Sequence, residues 1–236
     1  MGLSIVIPCF NEEDIIGKCL TSILNQTAAA NEVIIIDNNC SDRSMEIVKQ
    51  FVGKIPNLKI IKCKEQGIVP SRILGFSKAN YELVGTVDAD SILDQNWVST
   101  GLSYFQHHPH VMAICGSTYA YSKNIASLIV NLEILHIIWK FFPALRMMPE
   151  CNGIFKKQAY DKVEGLSPYP NLANKLHLQG IFDDYYLSVK LKEVGQLDFV
   201  SQLKVVRRNK DSLKLAFFQL TQYPQIYQFV HRRLPL

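Results

Sequence analysis

The sequence predicts an α/β fold with a mostly parallel central sheet flanked by helices on both faces. Short, branched apolar runs at residues 3–7, 32–36, 58–63 and 81–87 read as buried strands. Segments with apolar residues at helical spacing separate them, and this alternation of strand and helix implies a parallel sheet. Of the 236 residues, 48% are hydrophobic and 19% charged, which supplies a large core and gives no compositional ground for disorder.

The elements follow in order. Residues 3–7 form a strand that Pro8 closes, and 12–24 place Ile15, Ile16, Cys19, Leu20 and Ile23 on one helical face. Residues 32–36 are a continuous apolar strand, 37–41 a polar turn, and 44–51 a helix with Met45, Val48 and Phe51 inward. A third strand at 58–63 leads to a helix from about 70 to 79, then to a fourth strand at 81–87 that ends at Asp88. Ligands of such sheets bind beyond the carboxyl ends of the strands, so Asn11 and Glu12, Asp37, and Asp88 with Asp90 are expected around one crevice.

The second half is less regular. It holds an apolar stretch at 125–148, a segment at 151–155, a helix at 183–194, a strand-like run at 203–206 and a basic, aromatic tail at 213–236. No internal repeat or low-complexity linker interrupts it, so one domain spanning 1–236 is expected.

A net charge of +4 points to anionic ligands or an anionic membrane surface as partners, with no nucleic acid expected. Six cysteines lie scattered without a CxxC pair, which fits a reduced, cytoplasmic environment. The N-terminus lacks the basic and separate apolar regions of a signal peptide. The stretch 125–148 is broken by Asn131, Glu133, His136, Lys140 and Arg146, so it does not read as a membrane span. His107, His108 and His110 are expected in a surface loop around Pro109.

Asp88 and Asp90, one residue apart at a strand end, can offer hard oxygen ligands to Mg²⁺ or Mn²⁺ that completes its shell on a diphosphate. Taken alone they read more readily as turn formers. Their company matters more: SIVIPCFNEE at the N-terminus, IIIDNN followed by Ser41 and Asp42, and a later pair, Asp183 and Asp184. In that ordered set, across residues 3–195, the sequence resembles glycosyltransferase family 2.

The resemblance implies the Rossmann-like GT-A fold and inverting transfer of a sugar from a nucleotide-diphosphate donor. It further implies a nucleotide-sugar half at about 1–100, an acceptor half at about 101–200, and a C-terminal helical portion facing acceptor or membrane. Pro8, Phe10, Asn11 and Glu12 then form the first nucleotide-contacting loop, and Asp37 orients the base. Gly67 belongs to a segment that closes over the nucleotide together with Gln66, Gly75 and Phe76, and Arg72 is a candidate diphosphate partner. Asn152, Gly153 and Asp183 fall on the acceptor side, Asp184 is the general base, and Asp88 and Asp90 hold the metal. Two departures from the family pattern stand out. Asn38, Asn39 and Cys40 replace an acidic pair followed by Gly and Ser, and Asp183 stands where Glu is commoner.

Other readings stay open. Asp183 and Asp184 also suit a helix N-terminus, and Arg207 and Arg208 read either as diphosphate partners or as a solvated basic patch. The stretch 125–148 and the tail at 213–236 suit a membrane interface with a lipid-linked or membrane-proximal acceptor, and equally internal packing or a homodimer contact. A non-catalytic nucleotide-sugar-binding or membrane scaffold with the same fold is the alternative function. A nucleotidyltransferase ranks low for want of an early Gly-rich loop followed by basic residues.

Overall fold

All seven residues of β1 (Leu3–Cys9) are buried, because helices cover both faces of the sheet to which it belongs. The computed structural model describes residues 1–121, 151–175 and 182–208. After β1 come α1 (Ile16–Leu24), β2 (Glu32–Asp37), α2 (Ser44–Lys49), β3 (Leu58–Lys62), α3 (Ile68–Lys78) and β4 (Leu83–Thr86). Then follow β5 (Ser91–Leu93), α4 (Trp97–His107), β6 (Val111–Tyr121) and β7 (Gly153–Lys156). The last described elements are α5 (Lys157–Lys162), α6 (Tyr169–Lys175), α7 (Asp183–Lys192) and β8 (Gln196–Arg208).

The described strands make one sheet in the order β3-β2-β1-β4-β7-β6-β8-β5. β3, β2, β1 and β4 run parallel, as does the β6–β8 pair, while β7 lies antiparallel between β4 and β6 and β5 antiparallel to β8. Side-chain alternation divides the core in two. Leu3, Ile5, Ile7 and Cys9 pack with α1, α2 and α4 on one face. Val6, Ile34, Ile36 and Val84 pack with α3, α5, α6 and α7 on the other.

Several boundaries differ from expectation for local reasons. α1 starts at Ile16, because the amides of Glu12 and Glu13 donate to Ser44 Oγ (2.8 Å) and Asp42 Oδ2 (3.0 Å) and tie the preceding loop to α2. α3 starts two residues before Pro70, which occupies the first helical turn, where its missing N–H costs nothing. β5, α4 and β6 come as additions to the expected order, and β8 extends well beyond 203–206. His107 ends α4 and His108 caps it, stacked on Tyr104 at 4.1 Å, so the three histidines do not share a loop. The stretch 125–148 and the tail 213–236 lie outside the described residues. Among the described residues no helix is long and apolar enough to cross a membrane.

Candidate active site

Because β1, β2 and β4 are parallel, their carboxyl ends open onto one edge of the sheet, with Cys9 in register with Asp37. Pro8 is buried within β1 opposite Ile36, and Phe10, the next residue beyond the strand, is 50% exposed. Asn11 adopts a left-handed φ of 52°, which a short amide side chain tolerates well. Its Oδ1 accepts from the Ser41 amide at 2.8 Å, so the loops after β1 and β2 are joined. Asp37 Oδ1 accepts the Cys40 amide at 2.9 Å and closes the second loop.

Asn38, one of the departures from the family pattern, has a structural task. It is 3% exposed, donates from Nδ2 to the Glu65 carbonyl (2.7 Å) and accepts at Oδ1 from the Gly67 amide (2.8 Å). This amide clamp fixes the segment before α3, where Gly67 takes a φ of 135° that side chains rarely adopt. A carboxylate at position 38 has no proton to give Glu65. Phe76, by contrast, is fully buried against Phe155 (5.1 Å) and Tyr160 (5.4 Å), so it belongs to the core and not to a segment closing over a ligand.

The densest electrostatics lie just past β4. Arg72, on α3 and 7% exposed, donates from Nη1 to Asp183 Oδ2 (2.7 Å) and from Nη2 to Asp88 Oδ1 (3.1 Å). It therefore joins the two acidic pairs seen in the sequence. Arg207 approaches from β8, with Nη2 at 3.5 Å from Asp88 Oδ2 and Nε at 3.5 Å from Asp90 Oδ1. Sheet register puts it there: β5 begins directly after Asp90, and its first residue, Ser91, pairs with Arg207. The Asp88 charge is the main cause that raises the Arg207 pKa.

Asp183 and Asp184 open α7, where the helix dipole favours negative charge. Desolvation opposes it at Asp184 and, with the neighbouring Asp183 charge, pushes this carboxyl up to about 6, against a 2.7 Å hydrogen bond from the Tyr185 amide and the charge of Arg72. Asn152 directly precedes β7. It is fully buried, its Oδ1 accepts from Trp97 Nε1 at 2.8 Å, and its Nδ2 donates to the Ser117 and Leu203 carbonyls, both at 3.0 Å. Gly153 follows in β7, paired with Thr86 of β4 and Cys115 of β6.

Asp88 and Asp90 suit a hard divalent cation. Their carboxylates converge closely enough for one guanidinium to reach both, which makes Arg207 a stand-in cation between them. Among the described residues no three His, Cys, Asp or Glu side chains form a metal cage, so water and ligand oxygens would have to complete the shell.

A sheet of this order with acidic residues along its carboxyl edge defines a GT-A protein, and solved structures agree. The mannosyltransferase PcManGT from Pyrobaculum calidifontis, in complex with GDP-Man and Mn²⁺, superposes with a TM-score of 0.74 at 14% identity, covering 99% of this chain and 65% of that one. Residues 1–349 of Staphylococcus aureus TarS in complex with UDP-GlcNAc give 0.67 at 17% identity, covering 92% and 61%. The family model described as glycosyl transferase family 2 matches residues 4–160, and the chain belongs to that family. Glycosyltransferase AglE of Haloferax volcanii is 29% identical over 178 residues, 72% of this chain and 56% of that protein. The poly-beta-1,6-N-acetyl-D-glucosamine synthase of Staphylococcus aureus is 25% identical over 191 residues, 76% and 46% respectively. The chain thus spans about half the length of these curated relatives.

Proposed function

We propose that the chain transfers a sugar from a nucleotide-diphosphate donor to an acceptor hydroxyl with inversion at the anomeric carbon. The observation that carries this reading is the single charge network that Arg72 makes of Asp88, Asp90's partner in the metal pair, and Asp183, the neighbour of Asp184. The family supplies the reaction class, and the donors named in the GT-A complexes, UDP-GlcNAc and GDP-Man, fit the diphosphate chemistry of this edge.

The acceptor hydroxyl attacks the anomeric carbon as its bond to the diphosphate oxygen breaks. Asp184 takes the hydroxyl proton, and a carboxyl with a pKa near 6 is ionised at neutral pH yet basic enough to receive it. Asp88 and Asp90 would hold Mn²⁺ or Mg²⁺, which would supply positive charge to offset the negative charge developing on the departing nucleoside diphosphate. Arg72 fixes Asp88 relative to Asp183, so that donor and acceptor groups keep their spacing.

Pro8, Phe10, Asn11, Glu12, Asp37 and Gly67 form the nucleotide side. Asp183 and Gly153 frame the acceptor side, and Asn152 supports it from within the sheet. The acceptor is a glycan or a lipid-linked or membrane-proximal hydroxyl compound, a reading that rests on the composition of 125–148 and 213–236. The alternative, a non-catalytic scaffold, is the less favoured reading, because the family model and the similar curated proteins are glycosyltransferases.

The test compares wild type with Asp90→Asn and Asp184→Asn in donor turnover, using UDP- and GDP-sugars with Mn²⁺ or Mg²⁺. Loss of a general base is expected to slow transfer by about 10²–10⁴-fold. Donor binding by wild type without turnover on any hydroxyl acceptor overturns the proposal.

A further inference from the structure

We propose that Arg207 is an exchangeable internal cation, which fills the gap between Asp88 and Asp90 in the donor-free protein and swings onto the donor diphosphate when a divalent cation takes that gap. The inference rests on the donor-and-metal reading above and gives one residue two successive partners.

The two arginines at Asp88 are held very differently. Arg72 is 8% exposed at its side chain and makes close charge-assisted hydrogen bonds, 2.7 Å to Asp183 and 3.1 Å to Asp88. Arg207 is 43% exposed, and both its contacts are 3.5 Å, beyond the usual range of a strong hydrogen bond. Arg72 is therefore a fixture, and Arg207 an ion pair that solvent screens and a stronger cation can displace. A divalent ion carries twice the charge at a smaller radius, and the two cannot share the space between the same carboxylates.

Displacement does not send Arg207 far. Its backbone is paired with Ser91 on one side and Ala120 on the other, so only the side chain can turn. The guanidinium remains beside the position at which a metal on Asp88 and Asp90 would hold a diphosphate, and its planar fork suits two phosphate oxygens.

The charge count favours the exchange. Asp88, Asp90, Asp183 and Asp184 face Arg72 and Arg207, which leaves two carboxylates in excess when all are ionised, the charge that one divalent cation balances. A diphosphate then adds negative charge, for which the released guanidinium is the nearest compensation.

Opposite effects on two ligands separate this role from a structural one. Mn²⁺ binding is read from the electron paramagnetic resonance signal of the free ion, for wild type, Arg207→Gln, Arg207→Lys and Arg208→Gln, first with Mn²⁺ alone and then with UDP or GDP. Without nucleotide, Arg207→Gln is expected to bind Mn²⁺ about fivefold tighter, the scale of two partly exposed ion pairs. With UDP or GDP present, its gain in Mn²⁺ affinity over the nucleotide-free state falls below that of wild type by a similar factor.

Arg207→Lys, which keeps the charge but not the fork, is expected to bind Mn²⁺ alone about twofold tighter and carries the test if the glutamine variant does not fold. Arg208, which pairs with Asp14 at 3.7 Å, serves as a neighbour whose loss leaves Mn²⁺ binding unchanged. Unchanged or weaker Mn²⁺ binding in the Arg207 variants, with Asp90→Asn abolishing it, overturns this inference and leaves the metal reading intact. No Mn²⁺ binding by wild type, with or without UDP or GDP, removes the metal reading and this inference with it.

Discussion

Asp184, as the proposed base, would trade stability for chemistry. Its carboxyl is raised to about 6 from an ordinary 3.8, chiefly by desolvation and then by Asp183, so the folded protein holds this proton more tightly than the unfolded chain. The sign follows: the group costs no stability below about pH 4, and its penalty grows as pH rises through 6. Asp184→Asn keeps the shape and the acceptor for the Tyr185 amide while removing the charge. It is expected to stabilise the protein at pH 7 by on the order of 1–2 kcal/mol, seen as a higher melting temperature, while transfer collapses. In wild type the rate of donor turnover should rise with pH through an inflection near 6, the ionisation of the proposed base. Glu32 shows the reverse linkage. Burial pushes its pKa up, but hydrogen bonds from Lys59, Asn80 and Ser4 outweigh this and hold it below the ordinary value. Its contribution is therefore complete above about pH 4.5 and is lost as pH falls through the lowered value. Glu32→Ala should cost about 2–4 kcal/mol in urea unfolding at pH 7, with a smaller difference from wild type at pH 3.

At the scale of elements, α3 positions the network through its closest contact with the sheet. A Cβ on Gly75 would lie 2.3 Å from Val6 Cγ1 and 3.1 Å from Ile36 Cγ1, so only glycine lets the helix lie this near β1 and β2. Arg72 is one turn earlier on the same helix and reaches Asp88 and Asp183 from that seat. Gly75→Ala is expected to destabilise the protein by about 1–3 kcal/mol through overpacking. Turnover should fall further than stability alone accounts for, measured at a temperature where the variant remains folded. The physical signals in the sequence match what was legible. β1 and β2 are buried on both faces and read as unbroken apolar runs, and Asp88, Asp90, Asp183 and Asp184 declare themselves as acidic residues at element ends. β6 and β8 escaped recognition for most of their length because their pairing slips between Gly116 and Ser117, where the partner jumps from Val200 to Lys204 and the period-2 pattern is interrupted. Arg72 with Asp183, 111 residues apart, and Arg207 beside Asp90 by strand register are consequences of tertiary assembly that no local pattern records.

For the molecule as a whole, the parallel half of the sheet brings acidic groups from β1, β2 and β4 to one edge, and β8 returns a cation to them from the far side of β7 and β6. Arg72 and Arg207 offset only part of the negative charge of this edge while no ligand is bound, which predicts how ligands act together. On the proposed reading, Mn²⁺ alone would compete with Arg207 for Asp88 and Asp90, and a nucleotide sugar alone would bring its diphosphate towards carboxylates that repel it. Each therefore gains little by itself, and the pair gains more than the sum, a coupling that works equally in both directions. In thermal melts, a matching nucleotide sugar at about 100 times its Kd with saturating Mn²⁺ should add about 2.7 kcal/mol. For a chain of this size that corresponds to a rise of roughly 5–10 °C in melting temperature. Either ligand alone should give a small fraction of that rise. Asp90→Asn should lose the joint increment while keeping the small shift from nucleotide sugar alone, because the proposed nucleotide side at Asn11, Asp37 and Gly67 is untouched. A full shift with nucleotide sugar in the presence of a chelator would place the stabilising contacts on that nucleotide side and show that Asp88 and Asp90 act without a metal.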